Sequence, residues 1–166
     1  QLDAERALLR ADAADKAVAS GEDWGPLHGL PVTIKDAYLT EGIVTANGIP
    51  ALKGNVPDRN ADVVQKYVDA GAIILGKTNT PMASGDFQSF NEIYGTTNNP
   101  WDLTRTCGGS SGGAGASLAS GMTPLELHLN SKAKPVVTSF TDAALEDGVA
   151  TWGGWCSVFQ APSVQE

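Results

Sequence analysis

The sequence predicts an α/β fold with at least partly parallel strand pairing, on three observations. First, a β-branched run, Val32-Thr33-Ile34, and a second apolar run at residues 72–75 are separated by a loop and a helix-patterned stretch, the order that parallel strands need for their crossover. Second, each run is short and bounded by turn residues, as buried strands are. Third, the chain has 166 residues, 42% hydrophobic and 18% charged, which fits one domain with one core.

The elements follow in order. Residues 2–20 are rich in Ala, Leu and charged side chains, with Leu2, Leu9, Ala13 and Ala17 along one helical stripe and Gly21 as the stop. Trp24-Gly-Pro-Leu-His-Gly-Leu-Pro31 is turn-dense and leads into the first strand, which delivers Lys35-Asp36 at its end. Residues 40–60 read as loop. Asn60 or Asp58 then caps a helix through Ala70 whose Val63, Val64, Tyr67 and Val68 share a face, and Gly71 ends it. Residues 76–106 are polar and turn-prone. Cys107-Gly-Gly-Ser-Ser-Gly-Gly-Ala-Gly-Ala-Ser117 reads as a glycine-serine loop feeding a short helix with backbone amides exposed at its start.

Charge and composition exclude several classes. Eleven basic against nineteen acidic residues give a net charge of −8, which repels phosphate backbones and anionic lipid, so no nucleic-acid partner is expected. The longest apolar run is far short of the ~20 residues of a membrane span, and no signal-peptide pattern opens the chain. Cys107 and Cys156 form neither a metal-ligand pair nor a disulfide framework, which points to a reducing, cytoplasmic compartment, with a single disulfide as the lesser alternative. The start at Gln1, without Met, reads as a fragment or a processed chain.

Two features invite chemistry. Lys35 is either a surface cation beside Asp36 or a partly desolvated amine able to act as a base; taken alone, the surface reading is favoured. The loop from Gly108 to Gly115 is a flexible linker, a phosphate cradle or a backbone nest that lets Ser110 and Ser111 approach a reacting group. The cradle is disfavoured: no Lys stands in the Walker spacing, and Leu118 occupies the third small-residue position of the dinucleotide fingerprint after Gly113-Ala-Gly115. Nucleotide binding through this loop therefore ranks third among the functional readings.

Four blocks in order, Gly25-Pro-Leu-His-Gly-Leu-Pro-Val-Thr-Ile-Lys-Asp36, Gly71-Ala-Ile-Ile-Leu-Gly-Lys-Thr-Asn79, Tyr94-Gly-Thr-Thr-Asn-Asn-Pro-Trp-Asp102 and Gly108-Gly-Ser-Ser-Gly-Gly113, resemble the amidase signature family. The resemblance covers residues 1 to about 127. It implies a mixed, mostly parallel sheet between helices, and hydrolysis of carboxylic amides, sometimes esters, through a serine-serine-lysine triad and an acyl-enzyme without cofactor. Carried onto matching positions, Lys35 is the base, Ser110 the bridging serine held through a cis peptide bond, and Ser111 a hydrogen-bonding support. Met82, Ala83 and Ser84 fall in the stretch that lines the acyl pocket. A serine hydroxyl needs a neighbour to take its proton, and a lysine serves only when its pKa falls from ~10.4 towards the operating pH.

The resemblance implies a continuation into Gly-x-Asp-x-Gly-Gly-Ser-Ile-Arg, whose serine is the nucleophile. Here Gly121-Met-Thr-Pro-Leu-Glu-Leu127 is followed by His128-Leu-Asn-Ser-Lys-Ala-Lys-Pro135, the family's spacing lands on Lys134, and no such motif occurs downstream. Residues 1–127 are thus read as a partial amidase signature domain and 128–166 as an unassigned tail packing on it. Ser131, Ser139, His128 and Cys156 are weak substitutes for the nucleophile, and Trp152, Trp155 and Phe159 read as packing residues. An internal deletion, truncation or frame change after Leu127, or a short relative that kept only the recognition half, fits the break. The expectation is an impaired amidase acting on a small-molecule amide or holding its product acid. The alternative is a non-catalytic remnant that binds small amides or a partner, and sheet edges left bare predict self-association.

Overall fold

The computed structural model describes residues 1–129, with side chains through Leu127, and beyond them the backbone of four strands within residues 135–156. Ser131, Lys134, Trp152 and Phe159 lie outside the described residues. So do the side chains of His128, Ser139, Trp155 and Cys156, and with them the readings placed on these positions.

Helix α1 (Ala4–Ser20) stops at Gly21, whose φ of 79° lets the N–H groups of Gly21 and Glu22 return to the carbonyls of Val18 and Ala17. Its buried face is not the expected stripe. Ala7, Ala14 and Ala17 are buried, whereas Leu2 and Leu9 are exposed. The reason is Arg10, which sits on the inward side, stacks on Trp24 and donates to the carbonyls of Val68 and Ala72 at 2.8 Å, so small alanines make the close contact around it.

Strand β1 (Pro31–Lys35) pairs in parallel with β2 (Ile73–Thr78) and with β5 (Leu125–Leu129). β2 runs three residues further than its apolar pattern indicates, through Gly76, Lys77 and Thr78. Helix α2 (Asp62–Asp69) provides the crossover between β1 and β2. Its N-cap is Ala61 without a side-chain cap bond. Asn60 is instead engaged elsewhere, accepting from the Glu41 amide and donating to Gln65. Two-residue strands β3 (Phe90–Asn91) and β4 (Gly95–Thr96) form a small hairpin, and helix α3 (Gly112–Ala119) begins inside the glycine-serine block.

Beyond β5, strand β6 (Pro135–Phe140) pairs with it antiparallel, β7 (Ala144–Glu146) pairs with β8 (Val149–Thr151), and β9 (Trp155–Cys156) extends β6. The main sheet has the order β2-β1-β5-β6-β9 and is mixed. At its β2 edge, the amide of Asp3 donates to Leu75 and that of Lys77 to the carbonyl of Gln1, so residues 1–3 cover part of this edge.

Alternation divides β1 and β5 between two layers. Val32, Ile34, Leu125 and Leu127 join Leu27, Val64, Tyr67 and Ala72 in the apolar core under α2. Thr33, Lys35 and Glu126 point to the opposite face, where α3 lies against β1, β2 and β5. Among the described residues no helix is long and apolar enough to cross a membrane.

Candidate active site

A lysine becomes chemically interesting when water is removed and hydroxyls replace it. Lys35 stands at the C-terminal end of the central parallel strand and is 2% exposed. Its Nζ donates to Ser110 Oγ at 2.7 Å and to Ser111 Oγ at 3.0 Å, so residues from two distant blocks of sequence meet here. Burial lowers the Lys35 pKa to about 8, with the charge of Glu126 acting in the opposite direction.

The serines are held by their surroundings. The Gly109–Ser110 peptide bond is cis. Thr80 Oγ1 donates to the Ser110 carbonyl at 3.0 Å, and the Gly112 amide donates to Ser89 Oγ at 2.9 Å. A side chain at Gly112 would place its Cβ 2.6 Å from both Cys107 Sγ and Ser89 Oγ, so only glycine lets α3 begin against this loop. Cys107 itself is a buried free thiol.

Met82, Ala83 and Ser84 form a 3₁₀ turn, with Met82 exposed and Ala83 and Ser84 at positive φ. They reach the serine loop through Thr80, whose hydroxyl also lies 3.1 Å from Ser84 Oγ. Asn47 ties this turn to the end of β1. Its amide donates to the Asp36 carbonyl, its carbonyl accepts from the Ala83 amide at 2.9 Å, and its Oδ1 accepts from Ser84 Oγ at 3.0 Å.

Two further charges are buried beside Lys35. Asp36 and Lys77 are 3.7 Å apart, and Lys77 Nζ also donates to the Tyr38 carbonyl and to Thr45 Oγ1. Burial pushes Lys77 down to about 8 and Asp36 up, each opposed by its partner's charge. A cavity of about 350 Å³ opens on this pair, with Asn79, Tyr94, Thr96 and Thr97 on its walls.

Thr80 and Asn47 have no motif signature, and Glu126, although it lies in the Thr123-Pro-Leu-Glu-Leu127 stretch, carries none as a site residue, so all three escape sequence reasoning. The only available signal is alternation, which places Thr33 on the same side of β1 as Lys35. Among the described residues no group of three or more His, Cys, Asp or Glu is placed to hold a metal ion.

Known proteins share this arrangement of elements. The amidase family model matches residues 1–127. The chain is 45% identical over 126 residues to a glutamyl-tRNA(Gln) amidotransferase subunit from Acidothermus cellulolyticus, covering 76% of this chain and 25% of that protein. It is 48% identical over 120 residues to the indoleacetamide hydrolase of Bradyrhizobium diazoefficiens, covering 71% and 22%. The solved peptide amidase of Stenotrophomonas maltophilia superposes with a TM-score of 0.71 at 32% identity, over 76% of this chain and 27% of that one. The chain spans about a quarter of the length of the curated relatives it matches.

Proposed function

The chain belongs to the amidase family, and from that premise we propose that it is an amidase-type hydrolase by descent, carrying the lysine-serine half of a Ser-Ser-Lys relay and impaired in turnover. The observation that carries this reading is the 2.7 Å contact between Ser110 Oγ and Nζ of the buried Lys35. In its neutral form Lys35 accepts the Ser110 proton, and Ser110 accepts one from the attacking hydroxyl, which bonds to the amide carbon. The relay returns that proton to the amide nitrogen as the carbon–nitrogen bond breaks and the amine leaves, and it then takes a proton from the water that releases the acid. Ser111 supports Lys35 through its own hydroxyl. Met82, Ala83 and Ser84 line the approach of the acyl group.

The attacking hydroxyl is the missing part. Residues 128–166 contain no Gly-Gly-Ser, the motif that supplies nucleophile and oxyanion-hole amides in the relatives the chain resembles. This favours a second reading, in which the chain binds a small-molecule amide or its product acid without turning it over. A cytoplasmic location and self-association through sheet edges belong to the same proposal, the first resting on the free Cys107 thiol.

The test is labelling of the folded chain with a fluorophosphonate probe, the adduct being mapped by peptide mass spectrometry. No adduct, together with binding of a product-like carboxylic acid, is expected. An adduct at one serine that disappears in Lys35→Ala would overturn the impairment and reveal a working nucleophile. Neither adduct nor binding of amide or acid would overturn the amidase reading itself.

A further inference from the structure

A carboxylate cut off from water needs donors and compensating charge. Glu126, on β5, is 0% exposed. Its two oxygens accept from hydroxyls on the two strands that follow it across the sheet, Oε1 from Thr78 Oγ1 at 2.6 Å and Oε2 from Thr33 Oγ1. Thr33 is the register partner of Glu126 and stands two residues before Lys35, and Thr78 is the register partner of Lys35. The four side chains therefore form one cluster on the α3 side of the sheet.

The surrounding elements add few charges to this cluster. α3 contributes only Gly, Ala, Ser and Leu, and β6 carries Pro, Val, Thr, Ser and Phe. β2 brings Lys77, already matched by Asp36 at the end of β1. Tyr67 from α2 and Tyr38 from the loop after β1 present neutral phenols. His128 stands two positions along β5, its side chain outside the described residues. Among the described residues Lys35 makes no ion pair, and Glu126 is the carboxylate whose charge acts on it.

We propose that Glu126 is the buried counter-charge of Lys35, a positioning residue that holds the ammonium form through the sheet interior while Thr33 and Thr78 hold the carboxylate. This deepens the hydrolase reading, on which its catalytic meaning rests. When Lys35 takes a proton from Ser110, the new positive charge appears beside a carboxylate already fixed by two hydroxyl donors, so little needs to reorganise at that moment. Loss of the Glu126 charge leaves Lys35 a buried cation with no compensating partner, and its proton affinity falls.

The experiment is an NMR titration of the isotopically labelled chain without substrate, following Lys35 Cε and Glu126 Cδ from pH 4 to pH 11. In Glu126→Gln the Lys35 midpoint is expected to drop by about one pH unit or more, a roughly tenfold weaker hold on the proton. Asp36→Asn should move Lys77 more than Lys35, and a His128→Asn background removes the imidazole contribution. An unmoved Lys35 midpoint in folded Glu126→Gln would overturn the proposal. If that variant does not fold, the wild-type carboxyl decides: Glu126 Cδ must record a step as Lys35 titrates, and a single inflection confined to the ordinary carboxylate range overturns it. Neither readout uses turnover. A shifted Lys35 in a chain that neither labels nor binds amides keeps the counter-charge and removes the hydrolase reading, and an unmoved Lys35 leaves that reading to the labelling test.

Discussion

Asp36 and Lys77 face each other across 3.7 Å with side chains 2% and 1% exposed, at the ends of adjacent parallel strands. The pair closes the layer of the sheet opposite the Lys35 cluster. Removing one member leaves an uncompensated buried charge, so Asp36→Ala or Lys77→Met should cost about 3–5 kcal/mol in urea unfolding. The double variant Asp36→Leu/Lys77→Met should be far less destabilised than the sum of the singles. Additive losses would contradict a coupled pair.

The buried ionisable groups give stability an unusual dependence on pH. Glu126 is pushed by burial up to about 7, so between pH 4.5 and 7 the folded chain binds more protons than the unfolded one and stability falls as pH rises. Asp36 acts with the same sign. Lys35 and Lys77 are pushed down to about 8, so between pH 8 and 10.5 the unfolded chain binds more protons and stability rises with pH. A minimum of Tm between pH 7 and 8 is expected in a melting series at constant ionic strength. A steady rise from about pH 5 to pH 8 would contradict these assignments.

Gly112 is expected to be intolerant of a methyl group. Gly112→Ala should lose about 1–3 kcal/mol through overpacking against Cys107 and Ser89, read from thermal unfolding. Gly54 provides the control, because a Cβ there would have nothing within 4 Å and its φ is not positive. Gly54→Ala should stay within about 0.5 kcal/mol of the parent.

The Cys107 thiol is 5% exposed and its pKa is raised by burial. Alkylation by iodoacetamide should be at least about tenfold slower in the folded chain than in urea. Equal rates would mean that the serine loop and the start of α3 are open in solution.

Much of the frame is legible in the residues, because the signals are local. Val32-Thr33-Ile34 is a strand by branching, and Gly21 and Gly71 stop helices by adopting positive φ. The rest is set by distant partners. Lys77 and Thr78 look like loop residues until Asp36, Thr45 and Glu126 supply their contacts, and these extend β2. The buried face of α1 departs from its apolar stripe because Arg10, a surface residue by type, finds carbonyls at separations of 58 and 62 residues. Asn60 resembles a cap, but its side chain answers Glu41 and Gln65. In the site, motif blocks bring out Lys35, Ser110 and Ser111, whereas Thr33 and Thr78, although they lie inside two of those blocks, become partners of Glu126 only through pairing across the sheet.

The central place of β1 also sets a timetable. Its partner Glu126 lies 93 residues downstream of Thr33, so at about 5–20 residues per second of synthesis β1 waits on the order of 5–20 s for its second neighbour to exist. Throughout that interval Lys35 and Thr33 are hydrated and the interior they later share has not closed. Assembly of the chemical centre therefore waits on the synthesis of β5, and a ribosome pausing before residue 125 would hold a nascent sheet with its middle strand still bare on one side.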